Sequence, residues 1–221
     1  MSHLDTELNL LKEQLIEMQQ LVRSQLSKSK TALTTFDADL VREVLFNEKR
    51  VNALELKIDR DCENILALFN PVAVDLRFVL ATLKINANLE RIGDNAEGIA
   101  RYVRDVGAAF PEELLNEYRV DDAFNMAVSM MDDALNAFIK EDTSLARKVF
   151  LKDDTLDEIN RAATQVTLRY IRENKEEPLH YLNALSIIRK FERVGDQTKN
   201  IAEEIIFFIE AKVLKHVKKN P

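Results

Sequence analysis

A chain of 221 residues can bury a sizeable core, either as one domain or as two small ones. Four glycines and four prolines are too few for the hairpins of a sheet protein, so the composition points to helices. A net charge of −7 counts against nucleic acid as a partner, because phosphate binding draws on Lys and Arg, and it favours cations or basic protein surfaces.

Apolar residues recur at helical spacing from Leu4 to about Ala32, through Leu8, Leu11, Leu15, Met18, Val22 and Leu26, which predicts a first helix. Thr34-Thr35-Phe36-Asp37 interrupts the rhythm. Asp37 then caps a second helix that runs through Leu40, Val44, Val51, Leu54 and Ile58 to about Leu68, where Asn70-Pro71 stops it. The single cysteine, Cys62, shares the spacing of Ile58 and Ile65 and reads as a small core residue, not a nucleophile. It cannot close an internal disulfide, as suits a reducing cytoplasm. A third helix starts near Pro71 or Val72 and ends near Gly107.

The plan then repeats. Pro111 stands near the start of a fourth helix, Asp142-Thr143-Ser144 separates it from a fifth, and Glu177-Pro178 opens a sixth. The longest apolar run, Ile205 to Ile209, is far short of a membrane span, and the amino end lacks a charged-then-apolar leader. The expectation is a cytoplasmic chain that inserts no helix in a membrane and meets membranes only through a partner.

Overlaying the chain on itself tests the repeat. A shift of 105 places Asp37, Leu40, Arg42 and Val44 on Asp142, Leu145, Arg147 and Val149, with Glu48 on Asp153 and Val51 on Leu156. A shift of 102 places Glu90-Arg91-Ile92-Gly93-Asp94 on Glu192-Arg193-Val194-Gly195-Asp196, and Ile99-Ala100 on Ile201-Ala202. The prediction is an all-α fold of two tandem three-helix bundles related by internal duplication, the first repeat over 1–108 and the second over 109–221. Joined end to end they would make an elongated body. The Gly107–Pro111 junction carries no Ser/Gly-rich linker, so the bundles are expected to pack instead of flexing.

In each third helix Glu-Arg-(Ile/Val)-Gly-Asp sets two carboxylates four residues apart on one face, Glu90 with Asp94 and Glu192 with Asp196. Like charges at that spacing repel, and keeping the repulsion in both halves points to a cation between them. The second helix of each unit adds Glu48 and Asp153 at equivalent places, with Asp59, Asp154 and Asp157 as further oxygen donors. Such a set suits Mg²⁺, Mn²⁺, Ca²⁺ or iron, and it lacks the Cys and His of a closed zinc site. The bland alternative is a solvated face, since 31% of the chain is charged. Gly93 and Gly195 cost each helix about 1 kcal/mol relative to alanine, and they read as points where a neighbouring helix comes close.

With these motifs and Asp75-Leu76-Arg77 in view, the sequence resembles the PhoU family of phosphate transport system regulators. The resemblance runs over nearly the whole chain, from Asp39-Leu40 and the 47–59 stretch through 71–100 to 191–209. It implies a non-catalytic regulator that restrains phosphate uptake when phosphate is plentiful. The regulator would act on the phosphate ABC transporter, through its ATPase subunit, and on the membrane sensor histidine kinase. It also implies a homodimer, and multinuclear iron or zinc, or other divalent ions, held by Glu90, Asp94, Glu192 and Asp196 with Glu48 and Asp153. Glu177-Pro178-Leu179 stands in the second half where the first has Asp-Leu-Arg, so any partner role of Asp75 and Arg77 is not carried over.

Two other classes compete. A ferritin-like di-iron enzyme would need Glu-x-x-His, whereas positions 93 and 195 are glycine and His3, His180 and His216 lie away from the motifs. A metal-free helical scaffold would offer the Ile205–Ile209 run with the basic 212–219 tail to a partner helix. No glycine-rich loop or Ser/His/Asp grouping marks a phosphate-binding or nucleophilic site, so direct binding of inorganic phosphate is expected to be weak or absent.

Overall fold

The computed structural model describes residues 2–173 and 178–214, which form helices and no strand. In chain order these are α1 (His3–Thr35), α2 (Ala38–Phe69), α3 (Ala73–Val106), α4 (Glu112–Glu117), α5 (Val120–Lys140), α6 (Thr143–Glu173) and α7 (Pro178–Glu210). Glu177 and the tail from Lys215 onward, including His216, lie outside the described residues.

Local chemistry sets the helix ends. Ser2 and Asp5 form a reciprocal capping box at the start of α1. The Asp37 carboxylate accepts the Asp39 and Leu40 N–H groups at 2.9 and 3.1 Å, as an N-cap should. Asn70 closes α2 in the left-handed region, with Pro71 behind it. Gly107, at φ 71°, closes α3. Asp142 caps the start of α6, accepting the Ser144 N–H at 2.8 Å.

The single helix expected from Pro111 is instead two. The six-residue α4 ends at Tyr118, and Arg119 turns the chain at φ 55° before α5 begins. Tyr118 is the cause: its ring is buried and its hydroxyl lies 2.7 Å from Thr167 Oγ1 and donates to the Tyr181 carbonyl at 3.2 Å. Sinking that side chain between α6 and α7 reorients the backbone.

Helices α1, α2 and α3 pack around one another through residues such as Met18, Val22, Val51, Ile58, Leu89 and Ile92. Helices α5, α6 and α7 do the same through Met130, Val149, Leu156, Phe191 and Ile201. Cys62 is fully buried, and burial pushes its thiol up to about 12, so it is inert core. Ile205, Ile206 and Phe208 are buried too, which makes the apolar run of α7 core and not a free docking strip.

The bundles do not lie end to end. They pack side by side, with α3 antiparallel to α7: Lys84 bonds Glu204 at 3.0 Å and Asn88 bonds Asn200 at 3.3 Å, while Lys190 lies over Gly98. Helices α1 and α5 are likewise antiparallel, through Lys12–Glu141, Arg23–Asp132 and Lys30–Asp121. The reason is apolar area on a second face. Phe78 of α3 stacks on Phe138 of α5 and meets Phe208 of α7 edge-on, with ring centroids 6.1 and 5.7 Å apart. Burying one such side chain contributes about 1.5–3 kcal/mol. At the junction Phe110 is buried and its N–H donates to the Leu33 carbonyl at 3.0 Å, so the linker-free segment is packed down.

Candidate metal centre

In both halves the glycine of the motif decides how close the second helix comes. A methyl group on Gly93 would stand 3.1 Å from Val51 Cγ1 and 3.3 Å from Glu48 Oε2. A methyl on Gly195 would stand 2.5 Å from Leu156 Cδ1. Hydrogen at these positions lets α2 and α6 seat an apolar side chain against α3 and α7, and the same approach brings Glu48 beside Gly93, the residue next to Asp94.

In the first half Glu48 is 7% exposed, and neither of its carboxylate oxygens has a hydrogen-bond partner among the described residues. Burial pushes Glu48 up to about 7, reinforced by the charges of Asp94, Glu97 and Glu90. Glu90 is raised by burial, then by Asp94 and Glu55. Glu55 is raised by burial, then by Asp59 and Asp94. These carboxylates from α2 and α3 therefore feel one another as a single negative site. Its nearest cations are Arg101, which bonds Glu97 at 2.8 Å, Arg91, which pulls Glu90 down, and the half-buried Lys190, which packs over Gly98 and feels the charges of Asp94 and Glu97; none of them bonds Glu48. Asp59 is committed elsewhere, accepting from the Asn86 amide at 2.9 Å.

The second half is built differently. The Lys199 ammonium donates to Asp153 at 2.5 Å and to Asp196 at 3.2 Å, bridging α6 and α7. Burial works against the Lys199 charge, yet those bonds push it up to about 12. Asp153 is raised on balance, because burial, helped by the charges of Asp157 and Asp196, outweighs the downward pull of Lys199. Glu192 is raised by burial, then by Asp196 and Asp157.

The structure thus brings Glu48, Glu90 and Asp94 into one electrostatic site, and Asp153, Glu192 and Asp196 into another that already contains an ammonium. Among the described residues no three His, Cys, Asp or Glu side chains stand in the arrangement of a metal ligand set. The first half nevertheless suits a hard cation, because its donors are all oxygen and Glu48 is buried without a partner, a costly state that a cation relieves. Glu55, Glu97, Lys199 and Lys190 were not singled out by the motifs. The shift of 102 that aligns the two E-R-x-G-D motifs sets Lys199 on Glu97, a charge reversal visible in the sequence once the overlay is carried one turn further.

Other residues marked in the sequence have local duties. Arg77 donates to the Phe208 carbonyl at 3.2 Å and so joins the halves, while Asp75, in the first turn of α3, is half-buried. His3 stacks on Phe69 and His180 stands edge-on to Phe110.

Fold and site define a duplicated all-helical protein whose two halves each carry a carboxylate cluster at the contact of their second and third helices. The chain belongs to the PhoU family: the PhoU domain model matches residues 15–103 and 120–205. The chain is 33% identical over 217 residues to a Burkholderia phosphate-specific transport system accessory protein PhoU homolog, covering 98% of this chain and 92% of that one. It is 32% identical to the Escherichia coli phosphate-specific transport system accessory protein PhoU, over 96% of this chain and 88% of the relative. The crystal structure of PhoU from Pseudomonas aeruginosa superposes with a TM-score of 0.88 at 31% identity, covering 94% of this chain and 99% of that one. No helix among the described residues is long and apolar enough to cross a membrane.

Proposed function

We propose that this chain is an accessory regulator of phosphate transport. It restrains uptake and the starvation response when phosphate is plentiful, acting on the ATPase subunit of the phosphate ABC transporter and on the sensor histidine kinase. Its whole-length similarity to phosphate-specific transport accessory proteins supports this reading. The family resemblance adds a cytoplasmic homodimer that performs no catalysis.

The regulator binds a hard divalent or trivalent cation through Glu48, Glu90 and Asp94. The observation that carries this part is Glu48, a nine-tenths buried carboxylate with two unpartnered oxygens facing the charge of Asp94 and Glu90. A bound cation supplies the direct partner that Glu48 lacks and ties α2 to α3. The residues of the chain do the rest: Gly93 admits Glu48, and the Glu90–Asp94 turn sets two carboxylates on one helical face.

The test is deletion of the gene in its host, with intracellular phosphate and starvation-gene expression measured in rich phosphate. The expected result is excess phosphate and unrepressed expression, restored by wild type and not by a folded E48Q/E90Q/D94N variant. An unchanged phenotype on deletion would remove the regulatory reading. Full complementation by the variant would remove the cation site from the mechanism.

A further inference from the structure

Duplication alone would give the chain two equivalent carboxylate sites, yet the halves differ in the charges that surround them. Under the overlay that superimposes the two E-R-x-G-D motifs, Glu97 of α3 matches Lys199 of α7, and Arg101 matches Glu203. The signs of an i, i+4 pair are exchanged. On the second helix the overlay by 105 sets Asn160 at the place of Glu55 and Thr164 at the place of Asp59, while Asp154 and Asp157 replace Lys49 and Asn52.

The geometry shows what the exchange does. Glu97 turns to Arg101 along its own helix, and Glu48 beneath it is left without a partner. Lys199 instead turns to the second helix and places its ammonium between Asp153, the counterpart of Glu48, and Asp196, the counterpart of Asp94. Asp153 is buried to nearly the same extent as Glu48 but is not orphaned. An ammonium with charge-assisted bonds to both carboxylates meets the same need as a metal ion at that point. Admitting a divalent cation there would break both bonds and leave the displaced ammonium repelling the newcomer.

We infer that Lys199 is a built-in counter-ion, holding the place between Asp153 and Asp196 that a cation would take, so that metal binding by this chain is confined to its first half. The inference rests on the first-half reading given above. It assigns the second half a different task, a permanent electrostatic latch between α6 and α7 where the first half has a ligand-dependent one between α2 and α3.

Mn²⁺ alone, titrated calorimetrically into the full-length chain freed of metal, tests this. The expected stoichiometry in wild type is unchanged by D153N/D196N and abolished by E48Q/D94N. K199E, which restores the first-half residue type, gains additional Mn²⁺ that D153N/D196N in the same background removes. E97K loses first-half binding at least tenfold. Wild-type binding that falls in D153N/D196N and persists in E48Q/D94N would overturn the inference. If wild type binds no Mn²⁺ and K199E does, the counter-ion role stands and the first-half reading falls. If K199E gains nothing while wild type binds, the counter-ion role falls and the first-half reading stands. K199Q serves the same comparison if K199E fails to fold.

Discussion

The two halves of this protein are copies that treat the same buried acidic position differently. In the first, Glu48 lies under Gly93 with both oxygens unpartnered and the charge of Glu90, Asp94 and Glu97 around it. In the second, Asp153 occupies the matching place and is bonded to Lys199, which also holds Asp196. The backbone plan is shared, since each motif glycine makes room for an apolar residue of the second helix, Val51 in one half and Leu156 in the other. What differs is the positive charge at that carboxylate: Lys199 bonds Asp153 in the second half, whereas no lysine or arginine bonds Glu48 in the first.

The largest effect that could break the comparison belongs to Lys199. Lys199→Met strands the buried Asp153 carboxylate, and a loss of about 2–3 kcal/mol is expected, below the full penalty for a buried pair because the lysine side chain is 31% exposed. Urea unfolding in chelator measures it. The matched pair of Asp153→Asn and Glu48→Gln comes next, because the two changes should have opposite signs in metal-free protein. Asp153→Asn weakens the Lys199 bridge and costs about 1–3 kcal/mol. Glu48→Gln removes an unpartnered buried charge and stabilises by about 1–2 kcal/mol at neutral pH. Equal signs would erase the distinction between the halves.

A pH series sharpens the same point. The folded Glu48 carboxyl sits at about 7, above its ordinary 4.5, so its stabilising protonation is complete below 4.5 and lost as pH rises through 7. Metal-free wild type should lose stability across that window, and Glu48→Gln should flatten the slope. The smallest effect is Arg101→Met. Its pair with Glu97 is solvent-exposed on the arginine side, and a change close to the scatter of a thermal unfolding measurement is expected.

Much of this was legible in the sequence, and for identifiable reasons. Helical periodicity, the Asp37 cap, the Asn70-Pro71 stop and the internal overlay are local or repeated signals, and each long helix falls where they point. The motif carboxylates were legible because they occur twice. The break at Arg119 was not, because α4 and α5 are both amphipathic and a non-glycine left-handed residue leaves no mark in the sequence; only the burial of Tyr118 explains it. Side-by-side packing was hidden as well, since it depends on Phe78, Phe138 and Phe208 converging from three helices. Lys199 lies outside the shared motif: a repeat marks what its two copies have in common, whereas the chemistry of the second half lies in a residue they do not share.

The most direct test of the asymmetry is anomalous diffraction from crystals grown with Mn²⁺. Manganese density is expected against Glu48, Glu90 and Asp94, with the Lys199 ammonium still lodged between Asp153 and Asp196. Manganese against Asp153 and Asp196, with Lys199 swung away, would contradict it.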